Sequence, residues 1–267
     1  MKRLNAARIF NELSGGIKKF FKTAGADKAV IGLSGGIDCA VVAAAAVAAL
    51  GAKNVYGVAL PTRFSSRESM ELAKKLAKNL GINFRIINID GAFESLLKEM
   101  GGEKKLRKLT AQNLQPRLRA NALMAVSNET GGLLLNTGNK TEIAVGYFTL
   151  YGDSCGALAP LAELYKEHVY AAAEYINKDK EIIPRGTITR PPTAELARGQ
   201  KDSDDLPPYK ILDKILYYYL DKKLTPAAAA KKSGADISVV KRAEALYKKN
   251  LFKQKYLPPA IKISSIH

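Results

Sequence analysis

Between Ala29 and Glu99 short apolar runs alternate with longer amphipathic stretches. Ala29–Leu33 is continuously apolar, as a strand buried on both faces would be. The Ala/Val-rich run from Ala40 to Leu50 is apolar all round, which predicts a buried helix over 38–50. Val55–Leu60 predicts a second strand. Helix 66–80 follows, because Met70, Ala73, Leu76, Ala77 and Leu80 recur at the helical period. Phe84–Ile89 predicts a third strand and 91–99 another helix. Upstream, Leu4, Ile9, Leu13, Ile17 and Phe20 give 3–23 a helical apolar face, which Ser14-Gly15-Gly16 weakens. Downstream, a helix is expected from about Asn113 to Thr130 with Pro116 in its first turn, then a strand at Leu133–Leu135. Arg190–Pro208 reads as a long loop with four prolines and the acidic cluster Asp202-Ser203-Asp204-Asp205. The rest reads as helical to about Lys255, with an irregular tail from Leu257.

Strand–helix alternation with short turns predicts an α/β fold. The expected form is a doubly wound parallel sheet with helices on both faces and a helical C-terminal subregion, one domain over 1–267. Ligands bind such sheets at the carboxyl ends of the strands, where Ser34, Thr62, Arg63 and Asp90 fall. Gly101–Lys105 and Arg198–Asp205 are the segments expected to act as mobile lids.

Composition narrows the class. Hydrophobic residues make up 47% and charged residues 25%, as in soluble globular proteins. No apolar run reaches membrane-spanning length. Met1–Phe21 lacks the apolar core of a signal peptide. Cys39 and Cys155 make no disulfide framework, and no Cys/His cluster has metal-ligand spacing, so a reducing cytoplasm is expected. The formal charge of +17 attracts polyanions, nucleic acid or nucleotides alike. Nine Lys/Arg lie between Lys231 and His267, but they are scattered and not interleaved with aromatics. They read as a solvated helix face, and nucleic acid is not the expected partner.

Gly32-Leu33-Ser34-Gly35-Gly36-Ile37-Asp38-Cys39 joins the first strand to the second helix. A glycine turn opening a helix is an anion site, because the first helical N–H groups have no internal partner and the dipole is positive there. Ser34 adds a hydroxyl. Asp38 would repel a phosphate unless a metal ion lies between them, which points to ATP with magnesium. The stretch is neither a Walker loop nor a dinucleotide fingerprint. It resembles the Ser-Gly-Gly-x-Asp-Ser loop of the ATPases that release pyrophosphate.

Two further groups carry chemistry. On the helix from Asn113, positions 113, 117 and 121 share a face and hold Asn113, Arg117 and Asn121, an arrangement suited to a polar ligand. Asn136–Glu142 ends a strand and opens a helix, with Thr137 or Thr141 as its cap. Asp38 and Glu142 then offer two carboxylates at adjacent strand ends, enough to hold magnesium on ATP. Lys166, Thr193 and Lys201 become phosphate candidates only through the resemblance that follows.

Six motifs in order resemble NAD synthetase across nearly the whole chain: Gly-Leu-Ser-Gly-Gly-Ile-Asp (32–38), Pro-Thr-Arg-Phe-Ser-Ser (61–66), Gln112 to Arg117, Thr-Gly-Asn-Lys-Thr-Glu (137–142), Gly-Tyr-Phe-Thr-Leu-Tyr-Gly-Asp (146–153), and Arg-Pro-Pro-Thr-Ala-Glu-Leu (190–196), extended by 199–209. The resemblance implies that ATP adenylates the nicotinate carboxylate of deamido-NAD, and that ammonia then displaces AMP to give NAD. It implies that Gly32 to Cys39, Arg63, Thr137, Lys166 and Thr193 contact ATP. Asp38 and Glu142 would bind Mg2+. Asn113, Arg117, Tyr147, Gln254 and Lys255 would contact deamido-NAD across a homodimer interface. Ser34, Lys166 and Asp153 are the expected catalytic residues, with Asp153 holding ammonium and taking its proton. Cys39 departs from the usual serine. Leu150 and Ser154-Cys155-Gly156-Ala157 resemble the synthetase domain of the glutamine-dependent form. Only 27 residues precede Lys28, so no amidase domain is expected, and the nitrogen would come as free ammonia or from a separate glutaminase. A tRNA-modifying enzyme on the same loop and a nucleotide sensor without turnover are the rival readings.

Overall fold

The computed structural model describes residues 5–197, 199–200, 202–204 and 206–266. Four parallel strands, β1 (Ala29–Gly32), β2 (Val55–Ala59), β3 (Asn83–Ile86) and β4 (Leu133–Leu134), lie in the order β3-β2-β1-β4. Ala29 pairs with Val55 on one side and with Leu133 on the other. Parallel strands require crossovers, supplied here by α2 (Ile37–Leu50), α3 (Arg67–Leu80), and α4 (Asp90–Glu99) with α5 (Lys108–Thr130).

Both faces of the central strands β1 and β2 are covered, as their apolar runs require, whereas the edge strand β3 is largely exposed. Ala29 and Ile31 of β1 pack into a core shared with α1 (Ala6–Ala24), α2 and α7 (Lys166–Ile176). Val30 points the other way, into a cluster with Val58, Leu134 and Val126 of α5. A separate cluster joins α6 (Lys140–Val145) to α9 (Tyr209–Leu216), α10 (Pro226–Ser233) and α11 (Ile237–Asn250) through Leu212, Leu216, Ala229 and Val240. A short helix α8 (Arg185–Thr189) precedes the Arg190–Pro208 segment.

Helix α1 runs through Gly15-Gly16 as the expected 3–23 helix does, and the missing side chain at Gly16 leaves room for Ile261 to pack over it. Three sequence expectations change. The buried face of α1 uses Phe21 rather than Phe20, and Leu4 lies outside the described residues. Helix α5 begins at Lys108, so Pro116 sits in its interior, where its ring packs against Gly152. The tail is not loose: Ala260 bridges to Ala159, and Ile261 and Ile263 are buried in the main core.

Candidate active site at the carboxyl ends of the strands

The turn after β1 is built by its glycines. Gly35 has φ +77°, and a Cβ there would collide with the Ser69 carbonyl. Gly36 caps α2 without any side-chain hydrogen bond to the first turn, so the helix start is left for an anion. Ser34 Oγ accepts from the Gly36 N–H at 3.2 Å. The Cys39 thiol donates to the Gly36 carbonyl at 3.1 Å and lies 3.5 Å from Ser34 Oγ. Burial pushes that thiol's pKa up.

Beside the turn stands a lysine between two carboxylates. Lys166 is 2% exposed, and its Nζ donates to Asp38 Oδ2 at 2.5 Å and Glu142 Oε1 at 3.0 Å. Burial alone would push this amine down, but Asp38 and Glu142 outweigh it and hold its pKa above the ordinary lysine range. Burial pushes the Glu142 carboxyl up to about 7; Asp38 adds to the shift and Lys166 opposes it. Local structure fixes all three groups. Asn139, not Thr137 or Thr141, caps α6 through a reciprocal capping box with Glu142. Its Nδ2 also donates to Asp38 Oδ1 at 2.8 Å. Thr141 instead accepts from the Lys166 backbone N–H at 3.0 Å and donates to Asp213 Oδ1 at 2.5 Å. Asp213 Oδ2 in turn accepts from the Glu167 N–H at 2.8 Å, so a fully buried carboxylate caps the helix that carries Lys166.

A cavity of about 320 Å³ opens above these groups. Leu33, Val58, Leu60 and Leu123 form an apolar wall, and the Ser34–Asp38 turn forms the polar end. Asp153 Oδ1 accepts from the Thr149 N–H at 2.7 Å, and burial pushes its carboxyl up against the pull of Lys253 and Arg119. Arg119 donates through Nε to the Leu60 carbonyl at 3.0 Å. A smaller cavity of about 110 Å³ shares Ser34, Asp38, Glu142 and Asp153 with the first and reaches Phe148 and Leu257.

The segment 190–196 forms one side of the larger cavity and is held at Arg190, whose Nη1 donates to Ser69 Oγ at 2.7 Å, and at Glu195 and Leu196. Gln115, buried on α5, donates to the Leu196 carbonyl at 2.8 Å and accepts from Thr62 Oγ1 at 3.1 Å. Glu195, at φ +49°, accepts from the Ser66 N–H at 3.2 Å and from Ser69 Oγ at 2.7 Å. Such a backbone conformation persists only where its surroundings enforce it.

The NAD synthase family model matches residues 9–257. The chain belongs to the NAD synthase family. Glutamine-dependent NAD(+) synthetase of Thermotoga maritima is 44% identical over 96% of this chain, a span covering 45% of that protein. The chain thus spans about half the length of the curated relatives it matches. NMN synthetase from Francisella tularensis superposes with TM-score 0.81 at 26% identity, covering 94% of this chain and 97% of that one. NH3-dependent NAD synthetase from Campylobacter jejuni gives TM-score 0.76 at 25% identity, covering 94% and 96%.

In this NAD synthase family member the expected ATP and metal residues converge. Gly32, Leu33, Ser34, Gly36, Ile37 and Asp38 line the larger cavity, as do Thr137, Glu142, Lys166 and Thr193. Cys39 lines the smaller one. Tyr147 and Asp153 also line the larger cavity. Arg63 does not: it is exposed, pairs with Glu94 and Glu103, and lies over Phe64 and Phe93. Asn113 accepts from Thr149 Oγ1, exposed Arg117 donates to the Leu150 carbonyl, and Gln254 donates to the Ile143 carbonyl. Lys255 and Asn121 are exposed. These five line neither cavity. Lys201 lies outside the described residues. Sequence reasoning missed Asn139, Arg119, Gln115 and Asp213. Asn139 had a signal, since Asn followed three residues later by Glu is a capping box; the others act across the fold and had none.

Proposed function

We propose that this chain amidates the nicotinate carboxylate of deamido-NAD with ammonia, at the expense of ATP. The observation that carries the reading is the Lys166–Asp38–Glu142 cluster beside the uncapped start of α2, in a chain of this family. A carboxylate oxygen of the substrate attacks the α-phosphorus, and the bond from that phosphorus to the bridging oxygen breaks. Pyrophosphate leaves with the electron pair. Ammonia then forms a bond to the acyl carbon, AMP leaves with the acyl C–O pair, and Asp153 takes the surplus proton. Burial raises the basicity of the Asp153 carboxylate, which suits that role. The α2 N–H groups and Ser34 bind the phosphates, and Lys166 neutralises charge as it develops. Asp38 and Glu142 meet at one Nζ. Two carboxylates completed by phosphate oxygens are a donor set magnesium accepts, so these residues would hold Mg2+, whose chemistry is neutralisation of phosphate charge.

Asn113, Arg117, Gln254 and Lys255 lie outside the cavity, which suits a dinucleotide shared between two copies of the chain. Neither thiol suits glutamine hydrolysis: burial pushes both Cys39 and Cys155 up, and His168 Nδ1 is taken by the Tyr165 N–H at 3.2 Å. On this reading the nitrogen reaches these residues as ammonia, free or released by a glutaminase. The likeness to an NMN synthetase supports a second reading, amidation of the mononucleotide. The deciding assay follows AMP and pyrophosphate formation with deamido-NAD, nicotinate mononucleotide and tRNA as alternative acceptors. Deamido-NAD is expected to be preferred; product formation that needs tRNA would overturn the reading. Asp38→Ala should fold normally and lose at least about 100-fold in pyrophosphate release.

A further inference from the structure

Thr187 is the one described buried side-chain polar group without a hydrogen-bond partner. It is 3% exposed, sits on α8 and lines the larger cavity. The carbonyl four residues back, that of Ile183, accepts from Asn177 Nδ2 at 2.7 Å. A buried hydroxyl left unpaired is costly, so its persistence beside a cavity points to a ligand that pairs with it. Arg190, three residues on, lines the same cavity. Among the described residues no carboxylate forms an ion pair with it; its Nη1 donates to Ser69 Oγ at 2.7 Å, and Ser69 is held by Glu195. Ser69, which Arg190 holds, lies against the turn before α2, since a Cβ on Gly35 would collide with its carbonyl, and Lys166 lines the same cavity. The open helix start is therefore flanked by two cations, only one of which is neutralised by carboxylates.

We infer that Thr187 and Arg190 form, with the first turn of α2, the subsite that holds the pyrophosphate leaving group. The inference rests on the proposed pyrophosphate-releasing reaction and assigns residues to its departing end. As the bond to the α-phosphorus breaks, the electron pair goes to the pyrophosphate oxygen. The Arg190 guanidinium neutralises that added charge, and the Thr187 hydroxyl donates to a terminal oxygen. Guanidinium suits this task because its planar fork meets phosphate oxygens in pairs. Because Arg190 belongs to the pinned 190–196 segment, occupancy by pyrophosphate and the position of that segment are coupled.

The test uses the full chain and inorganic pyrophosphate as the probe, with AMP as the control, followed by calorimetry and thermal melts. Thr187→Val removes only the hydroxyl. It should bind pyrophosphate about 5-fold more weakly, bind AMP as the parent does, and melt at the same or a higher temperature. Arg190→Lys, which keeps a charge, and Arg190→Ala should weaken pyrophosphate binding in that order, the latter about 30-fold. Unchanged pyrophosphate affinity in Thr187→Val, or equal losses for pyrophosphate and AMP, would overturn the assignment. Parent protein that binds pyrophosphate through these residues but does not amidate deamido-NAD would leave the subsite standing and sink the proposed function instead.

Discussion

Glu142 and Asp38 share one ammonium group, so in the ligand-free protein one carboxylate is undercompensated. The burden falls on Glu142, whose pKa burial and Asp38 raise to about 7 from an ordinary value of 4.5. A carboxyl raised in the fold contributes stability that is fully present below the unfolded value and lost as pH rises through the folded one. Glu142→Gln keeps an acceptor for Lys166 and removes the charge. Without magnesium or nucleotide, the variant should gain on the order of 2 kcal/mol over the parent at pH 8. The gain should vanish near pH 4.5, with urea melts across that range as the measurement. A flat difference across pH would contradict the assignment. The same change should abolish turnover if Glu142 holds the metal. Asp38 and Glu142 were legible from the sequence because each sits at a motif that must open a helix after a strand. Asp213 was not: it reaches Thr141 and the Glu167 N–H from a helix far along the chain.

At the scale of elements, the helical and strand periods located the sheet and its crossovers, since burial on both faces leaves continuous apolar runs. They failed where one long-range contact decides. Helix α5 looked too short because proline is ordinarily tolerated only in a first turn, yet here it is held by the Gly152 turn. That helix carries Gln115, whose amide joins three elements by donating to Leu196 and accepting from Thr62. Gln115→Leu keeps the volume but takes a donor from the half-buried Leu196 carbonyl and the acceptor from the Thr62 hydroxyl proton. It should destabilise the fold by about 2 kcal/mol and raise KM for ATP more than it lowers kcat, because the 190–196 segment is released while Lys166 stays in place. Steady-state kinetics with denaturant melts check this; a loss in kcat with KM unchanged would mean that Gln115 acts on the chemistry rather than on the segment.

On the scale of the whole molecule, two features bear on how nitrogen reaches the site. Two cavities, of about 320 and 110 Å³, share Ser34, Asp38, Glu142 and Asp153, and the smaller is also lined by Phe148 and Leu257. Burial pushes both thiols up, and His168, buried and pushed down to about 4, is occupied by the Tyr165 N–H. A neutral thiol without a base is a poor nucleophile toward an amide. The 267-residue chain should therefore turn over with ammonium and not with glutamine. On the proposed reading, in which neutral ammonia attacks the acyl carbon, kcat/KM expressed in total ammonium should rise with pH between 7 and 8.5, by about tenfold per unit, until ammonia is a substantial fraction. Adding a separate glutaminase should make glutamine an effective donor, and a scavenger that consumes free ammonia should abolish that rescue. Rescue that survives the scavenger would mean that ammonia passes directly between the two proteins, and substitution of Phe148 or Leu257, which line the smaller cavity, would then test whether that cavity is the route. Turnover of glutamine by the purified chain alone would overturn the assignment of its nitrogen donor.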